Sequence, residues 1–156
     1  MEQKRFREIC GSFTTGVTVV TTKDERGNPV GMTANSFTSL SLDPPLILFN
    51  IDKGASLYET FMKTDSLAIN ILSKEQQSLS KQFASSGIDR FDGVQYCKDK
   101  TGAPILSGVL AYFDCEIEHR YDGGDHTIII GKVVSGDSED GEPLVFYKGN
   151  YKELTV

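Results

Sequence analysis

The sequence predicts a mostly β chain, an antiparallel barrel carrying a few short helices. Three observations carry this expectation. Short runs of β-branched and aromatic residues recur along the whole chain, turns rich in Gly, Pro and Asp separate them, and only brief stretches hold apolar residues at helical spacing. At 156 residues the chain reads as one domain, 1–156, large enough for a real core.

The elements follow in order. Phe6, Ile9, Cys10 and Phe13 fall at helical spacing, so residues 3–13 predict a short amphipathic helix that Gly11 weakens near its end. Thr14-Thr15-Gly16 breaks it, and the β-branched run Val17 to Thr22 predicts a strand buried on both faces. Residues 24–28 turn the chain into a second strand from Val30, and Leu46 to Ile51 is the third. Ser56 with Glu59 three residues later is a capping-box pattern, which places a helix start at Ser56. Leu67 to Leu72 reads as another buried strand. Ser73 with Gln76 repeats the capping pattern and opens a helix through about Ala84.

Residues 85–104 read as a long loop over the barrel mouth, anchored by Phe91, Val94 and Tyr96 and holding at most a short strand. From Leu110 to Tyr121 the residues alternate, with Tyr112, Asp114, Glu116 and Glu118 on the face expected to meet solvent. Gly123-Gly124-Asp125 turns the chain, and Thr127 to Val134 runs back as the partner strand. An acidic tip at 137–142 precedes a last hairpin, Leu144 to Tyr147 and Tyr151 to Leu154.

Composition excludes several function classes. A net charge of −6 argues against a nucleic-acid partner, because phosphate neutralisation needs clustered Lys and Arg. No apolar run approaches the ~20 residues a membrane helix needs, and MEQKRFREICGSF lacks a signal-peptide core, so no membrane association is expected. Cys10, Cys97 and Cys115 are odd in number and lack metal spacing, which predicts free thiols in a reducing cytoplasm. His119 and His126 carry no partnered ligand pattern, so no metal is expected. Neither G-x-G-x-x-G after the first strand nor a P-loop occurs, so any nucleotide must be held another way.

The stretch GMTANSFTSLSLDPPLILFN, Gly31 to Asn50, organises the chain. Its hydroxyl- and amide-rich middle has no charge before Asp43, and Pro44-Pro45 turns it into an apolar strand. Such a loop can wrap a neutral polar ligand with backbone N–H groups and short side chains, or it can be a polar surface connection.

Taken with TGVTVVTT, AINILS, QFA and GDHTIIIGKV in the same order, this stretch resembles the short flavin reductase family from about Phe6 to Leu154. The resemblance implies an FMN-binding split barrel, usually a twofold homodimer with flavin near the interface. It implies an NAD(P)H:flavin oxidoreductase that uses FMN or FAD with NADH or NADPH and supplies reduced flavin to a flavin-dependent monooxygenase. The flavin would lie along Thr33, Ala34, Asn35, Ser36, Ser39, Leu40 and Ser41. Its phosphate would meet Ser56, with Lys53 adding charge. Phe83-Ala84 would lie against it, Arg90-Phe91 near the phosphates, and Tyr147 and Tyr151 beside it. His126 would face the nicotinamide and position it.

Plainer readings stand beside each: Ser56 as a cap, Phe83 as core, Arg90 as an exposed cation, His126 as a turn residue, the tyrosines as barrel packing. A rival function is a flavin-binding electron carrier serving a protein partner, which His126 disfavours. Pyridoxal phosphate and haem are disfavoured by the lack of basic residues in 31–51 and of an axial histidine.

Overall fold

The computed structural model describes residues 1–154, leaving Thr155 and Val156 of the expected domain outside the described residues. In chain order, helix α1 (Gln3–Cys10) precedes strands β1 (Thr15–Gly16), β2 (Thr18–Lys23), β3 (Pro29–Ala34), β4 (Thr38–Leu42) and β5 (Pro45–Asp52). Helix α2 (Tyr58–Lys63), strand β6 (Ser66–Ile71), a 3-10 turn (Lys74–Gln76) and helix α3 (Gln77–Phe83) follow. Strands β7 (Tyr96–Lys98), β8 (Pro104–Leu106), β9 (Ala111–Gly123), β10 (His126–Ser138), β11 (Val145–Tyr147) and β12 (Asn150–Lys152) complete the chain.

Seven of these strands form the main sheet, in the order β3-β2-β6-β9-β10-β5-β4, all antiparallel. Strands β3 and β4 are its opposite edges, yet only Asn35, Ser36 and Phe37 separate them in the chain. Six strand spacings laid flat would part the edges by about 29 Å. Four Cα steps from Ala34 to Thr38 reach at most about 15 Å. The sheet therefore curls until its edges converge at this link without hydrogen-bonding to one another. That is a split barrel, the form of antiparallel barrel that the family resemblance implies.

Hydroxyl groups hold the link at both ends. Thr18 Oγ1 donates to the Ala34 carbonyl at 2.6 Å. The β4–β5 register, Thr38 opposite Leu48, would next bring Ser36 opposite Asn50. There the backbone has already left the ladder, and the Ser36 hydroxyl replaces it, donating to Asn50 O at 2.8 Å and accepting Asn50 N–H at 3.1 Å. Phe37 stacks on Phe113 of β9, with ring centroids 5.9 Å apart.

Strand β2 is buried on both faces, as its β-branched run predicted, because it lies between two apolar clusters. Val20 faces the barrel interior with Ile47, Phe49, Ile51, Phe61, Leu67, Ile69 and Ile129. Val19 faces a second cluster, in which Leu72, Phe83, Leu106 and Leu144 fill the space behind the sheet. The predicted Ser73–Gln76 box forms, the Gln76 side chain accepting the Ser73 N–H at 2.9 Å. It seats α3 against β2 and β3. The loop after α3 contains the short hairpin β7–β8, tied down where the Asn70 side chain accepts Leu106 N–H.

Four expectations need correction. The polar stretch after Gly31 is not one loop, because residues 38–42 pair with β5 as an edge strand. Ser56 caps nothing: α2 starts at Tyr58 after Leu57 and has no side-chain cap. Asp114 is buried, not solvent-facing, because the segment before β8 covers its face of β9 and Thr101 donates both its N–H and its hydroxyl to the carboxylate. The helix α1 ends at Cys10, and its apolar positions Phe6 and Ile9, like Phe13 beyond it, stay exposed.

Removing the Ser36 hydroxyl strands two main-chain groups of Asn50. Ser36→Ala should lower the unfolding free energy by about 1–3 kcal/mol in urea titrations, whereas Ser39→Ala on the exposed edge strand should change it by less than about 0.5 kcal/mol. Equal effects would remove the special role of the link. Cys115 is fully buried, and desolvation, helped by the neighbouring Asp114, pushes its thiol up to about 12. A thiol reagent at pH 8 should therefore modify the exposed Cys10 and Cys97 in the native protein and reach Cys115 only after denaturation.

Candidate functional site

Two adjoining clefts open between the end of β3, the turn after β5 and the loop after α3. One, of about 450 Å³, is lined by Met32, Thr33, Gly54, Ala55, Ser56, Leu57, Phe83, Ala84, Ser86 and Arg90. The other, of about 270 Å³, shares Ser56, Leu57, Ser86 and Arg90 with it and extends along Val30, Gly31, Ile88 and Phe91. Together they fall in the size range of small-molecule sites. Larger clefts occur beneath α1 and beside the β2–β3 turn, but none of the expected site residues lines them.

Five expected residues thus meet in one cleft: Thr33, Ser56, Phe83, Ala84 and Arg90, with Phe91 in its extension. Each arrives for a local reason. Thr33 is fixed where its hydroxyl donates to the Ser80 carbonyl of α3. Phe83 ends α3 and is fully buried, so it is both core and cleft wall. Its ring packs edge-on against Phe91 at 5.0 Å. Gly31 permits this approach, since a Cβ there would come within 3.0 Å of the Phe83 ring. Arg90 is half-buried, not an exposed cation, and its side chain reaches the carbonyls of Ser85 and Gly31.

The other expected residues lie around this centre or away from it. Asn35 is exposed on the closing link, Ala34 packs against the interior core, and the Ser36 hydroxyl is spent on Asn50. Ser39, Leu40 and Ser41 belong to the edge strand β4. The hydroxyls of Tyr151 and Ser80 share a hydrogen bond of 2.6 Å, the Tyr151 ring packs edge-on against Phe146, and Tyr147 lies in the same small sheet, β1-β11-β12. Neither tyrosine lines the cleft. Lys53 is held by an ion pair with Asp122, whose hydrogen bond raises the ammonium pKa.

His126 begins β10 opposite Asp52, the last residue of β5. The Lys53 N–H donates to the Asp125 carbonyl at 2.9 Å, which ties the turn bearing His126 to the residue just before the cleft-lining segment Gly54–Leu57, although His126 itself lines neither cleft. His126 Nδ1 lies 2.7 Å from Asp125 Oδ1, and this hydrogen bond holds the Asp125 carboxyl below its ordinary range. An ionised carboxylate can only accept, so Nδ1 carries the proton of this hydrogen bond and Nε2 is the ring nitrogen left for a ligand.

Met32, Gly54, Ala55, Leu57 and Ser86 also line the cleft and were missed in the sequence. Gly54 and Ala55 were within reach of inference, lying between two residues already singled out. Met32, Leu57 and Ser86 gave no signal of their own.

The sequence matches the family described as "Flavin reductase like domain" over residues 10–155. It is 45% identical over 148 residues to the reductase component of the flavin-dependent trigonelline monooxygenase of Acinetobacter baylyi, covering 95% of this chain and 48% of that protein. The chain thus spans about half the length of that relative. It is 43% identical to "FMN reductase (NADH) SmoA" of Agrobacterium fabrum, covering 95% of this chain and 84% of that one. The structure of the NADH:FAD oxidoreductase SgcE6 of Streptomyces globisporus, in complex with NAD and FAD fragments, superposes with a TM-score of 0.93. That match has 36% identity and covers 99% of this chain and 93% of that one. A match across nearly the whole sequence, with the same curled sheet beneath it, places the chain in the flavin reductase like domain family.

Proposed function

We propose that the protein is an NAD(P)H:flavin oxidoreductase that reduces FMN or FAD and supplies the reduced flavin to a partner monooxygenase. The observation that carries this reading is the meeting of Thr33, Ser56, Phe83, Ala84 and Arg90 in one cleft, with the Asp125–His126 turn tied to Lys53 just before the segment that lines it. Relatives described as an NADH-dependent FMN reductase and as the reductase component of a monooxygenase support it. We assign the working form to a homodimer in the cytoplasm, a reading consistent with the three unpaired thiols.

The lining suits a flavin. Met32, Leu57, Phe83 and Ala84 offer an apolar wall for the ring, while Ser56, Ser86 and the main chain of Thr33 offer neutral donors and acceptors for its polar edge. Bound there, flavin would accept hydride from the nicotinamide, a transfer whose central step needs no protein acid or base. The chain's own contribution is placement and exclusion of water. The apolar wall keeps one side of the cleft dry. Asp125 orients the His126 ring through Nδ1, which leaves Nε2 to meet the carboxamide of the nicotinamide.

Purified protein should bind FMN or FAD without a covalent link, read as quenching of flavin fluorescence. Anaerobic stopped-flow should show NADH or NADPH reducing that flavin far faster than free flavin. Binding without accelerated reduction would replace the enzyme by an electron carrier, and no binding at all would end both readings.

His126→Ala removes one positioning contact. It should lower kcat/KM for the nicotinamide by roughly tenfold to a hundredfold, about 1–3 kcal/mol, while flavin affinity stays nearly constant. A parallel loss of flavin affinity would move His126 from the nicotinamide to the flavin.

A further inference from the structure

We infer that Arg90 is a positioning residue that clasps the cleft wall shut, and that it is not the anion ligand the family resemblance implies. The inference rests on the flavin reading of the cleft and says how that cleft is built. Arg90 Nε donates to the Ser85 carbonyl at 2.8 Å, and Nη1 donates to the Gly31 carbonyl at 2.9 Å. Spending Nε on main chain removes the side-on fork with which a guanidinium grips a phosphate, and Nη1 is turned toward β3.

Both acceptors are carbonyls that need a donor. Strand β3 is the terminal strand of the main sheet, so one of its edges has no neighbouring strand. An unpaired edge carbonyl beside a cleft is costly to leave unsatisfied, and Arg90 satisfies it at Gly31. Ser85 lies just beyond the end of α3, five residues before Arg90, so the same side chain also closes the intervening loop upon itself. From the helix side, the Gln82 amide donates to the carbonyls of Arg90 at 2.7 Å and Asp92 at 3.0 Å. The loop is thus held from β3 and from α3 at once. It carries Ser86 and Phe91 into the cleft, and it has no regular secondary structure to hold it there otherwise.

Charge and clasp make opposite predictions for a lysine. Arg90→Lys keeps the positive charge but cannot bridge two carbonyls in a planar fork, whereas Arg90→Gln loses the charge as well. The test titrates FMN and riboflavin, which differ by the phosphate, into wild-type protein and both variants. Melting temperatures and hydrogen exchange are read in parallel on the flavin-free chains. The clasp predicts that both variants weaken FMN and riboflavin by the same factor, about tenfold, leaving the ratio of the two affinities unchanged. It also predicts faster exchange confined to residues 85–91.

The proposal is overturned if Arg90→Lys holds FMN like wild type while Arg90→Gln loses FMN but keeps riboflavin, because Arg90 is then an anion ligand. It is equally overturned if melting temperatures fall while flavin affinities stay unchanged, or if 85–91 exchanges no faster. Wild-type protein that binds neither flavin is recognised before any variant is made. That outcome removes the flavin reading itself, and the positioning role falls with it.

Discussion

The three-residue link from Asn35 to Phe37 is the constraint on which the rest of the structure depends. It joins the two edge strands of a seven-stranded sheet, and so short a connection is incompatible with a flat sheet. Curling encloses Val20, Phe49, Phe61 and Ile129 in an interior core and leaves Val19 on the outside of the curl. That outer face must be covered, and α3 with Phe83 covers it. The cleft lies where this cover meets the open edge of β3, so link, core and site follow from one closure.

Closure also explains why so many hydroxyls occur near the link. Thr33 and Ser36 read as ligand donors in the sequence, yet each donates, as Thr18 does, to a main-chain carbonyl of the protein itself. The curl takes backbone groups out of the regular ladder and partly out of water, and short side chains are the nearest substitutes. What remains for a ligand is the set that closure does not consume: the main chain near Thr33, Ser56 once it is freed from capping, and Ser86 on the clasped loop.

Charges around the site are mostly matched within the protein. Lys53 faces Asp122, Asp125 faces His126, and Arg90 faces carbonyls. The exposed pairs contribute little to stability. Their effect is geometric: they fix the turns at the sheet end beside the cleft and set which imidazole nitrogen is left to face a ligand.

The sequence by itself determined the class of the fold, most of its strands, the capped start of the segment leading into α3, and the family. These are local or ordered signals: β-branched runs, turn residues, a Ser73–Gln76 box, and motifs in a fixed order. It also named five of the residues that meet in the cleft. Tertiary structure decided what those residues do. Asp114 reads as solvent-facing from its alternation, but a segment 13 residues upstream in the chain, around Thr101, covers it. Ser56 matches a capping pattern, but the chain makes another turn before α2 begins. Arg90 reads as a free cation, and only the fold brings the Gly31 carbonyl, 59 residues away, to its guanidinium. A side chain's partner is set by which strands become neighbours, and neighbours across a curled sheet leave no trace in local spacing.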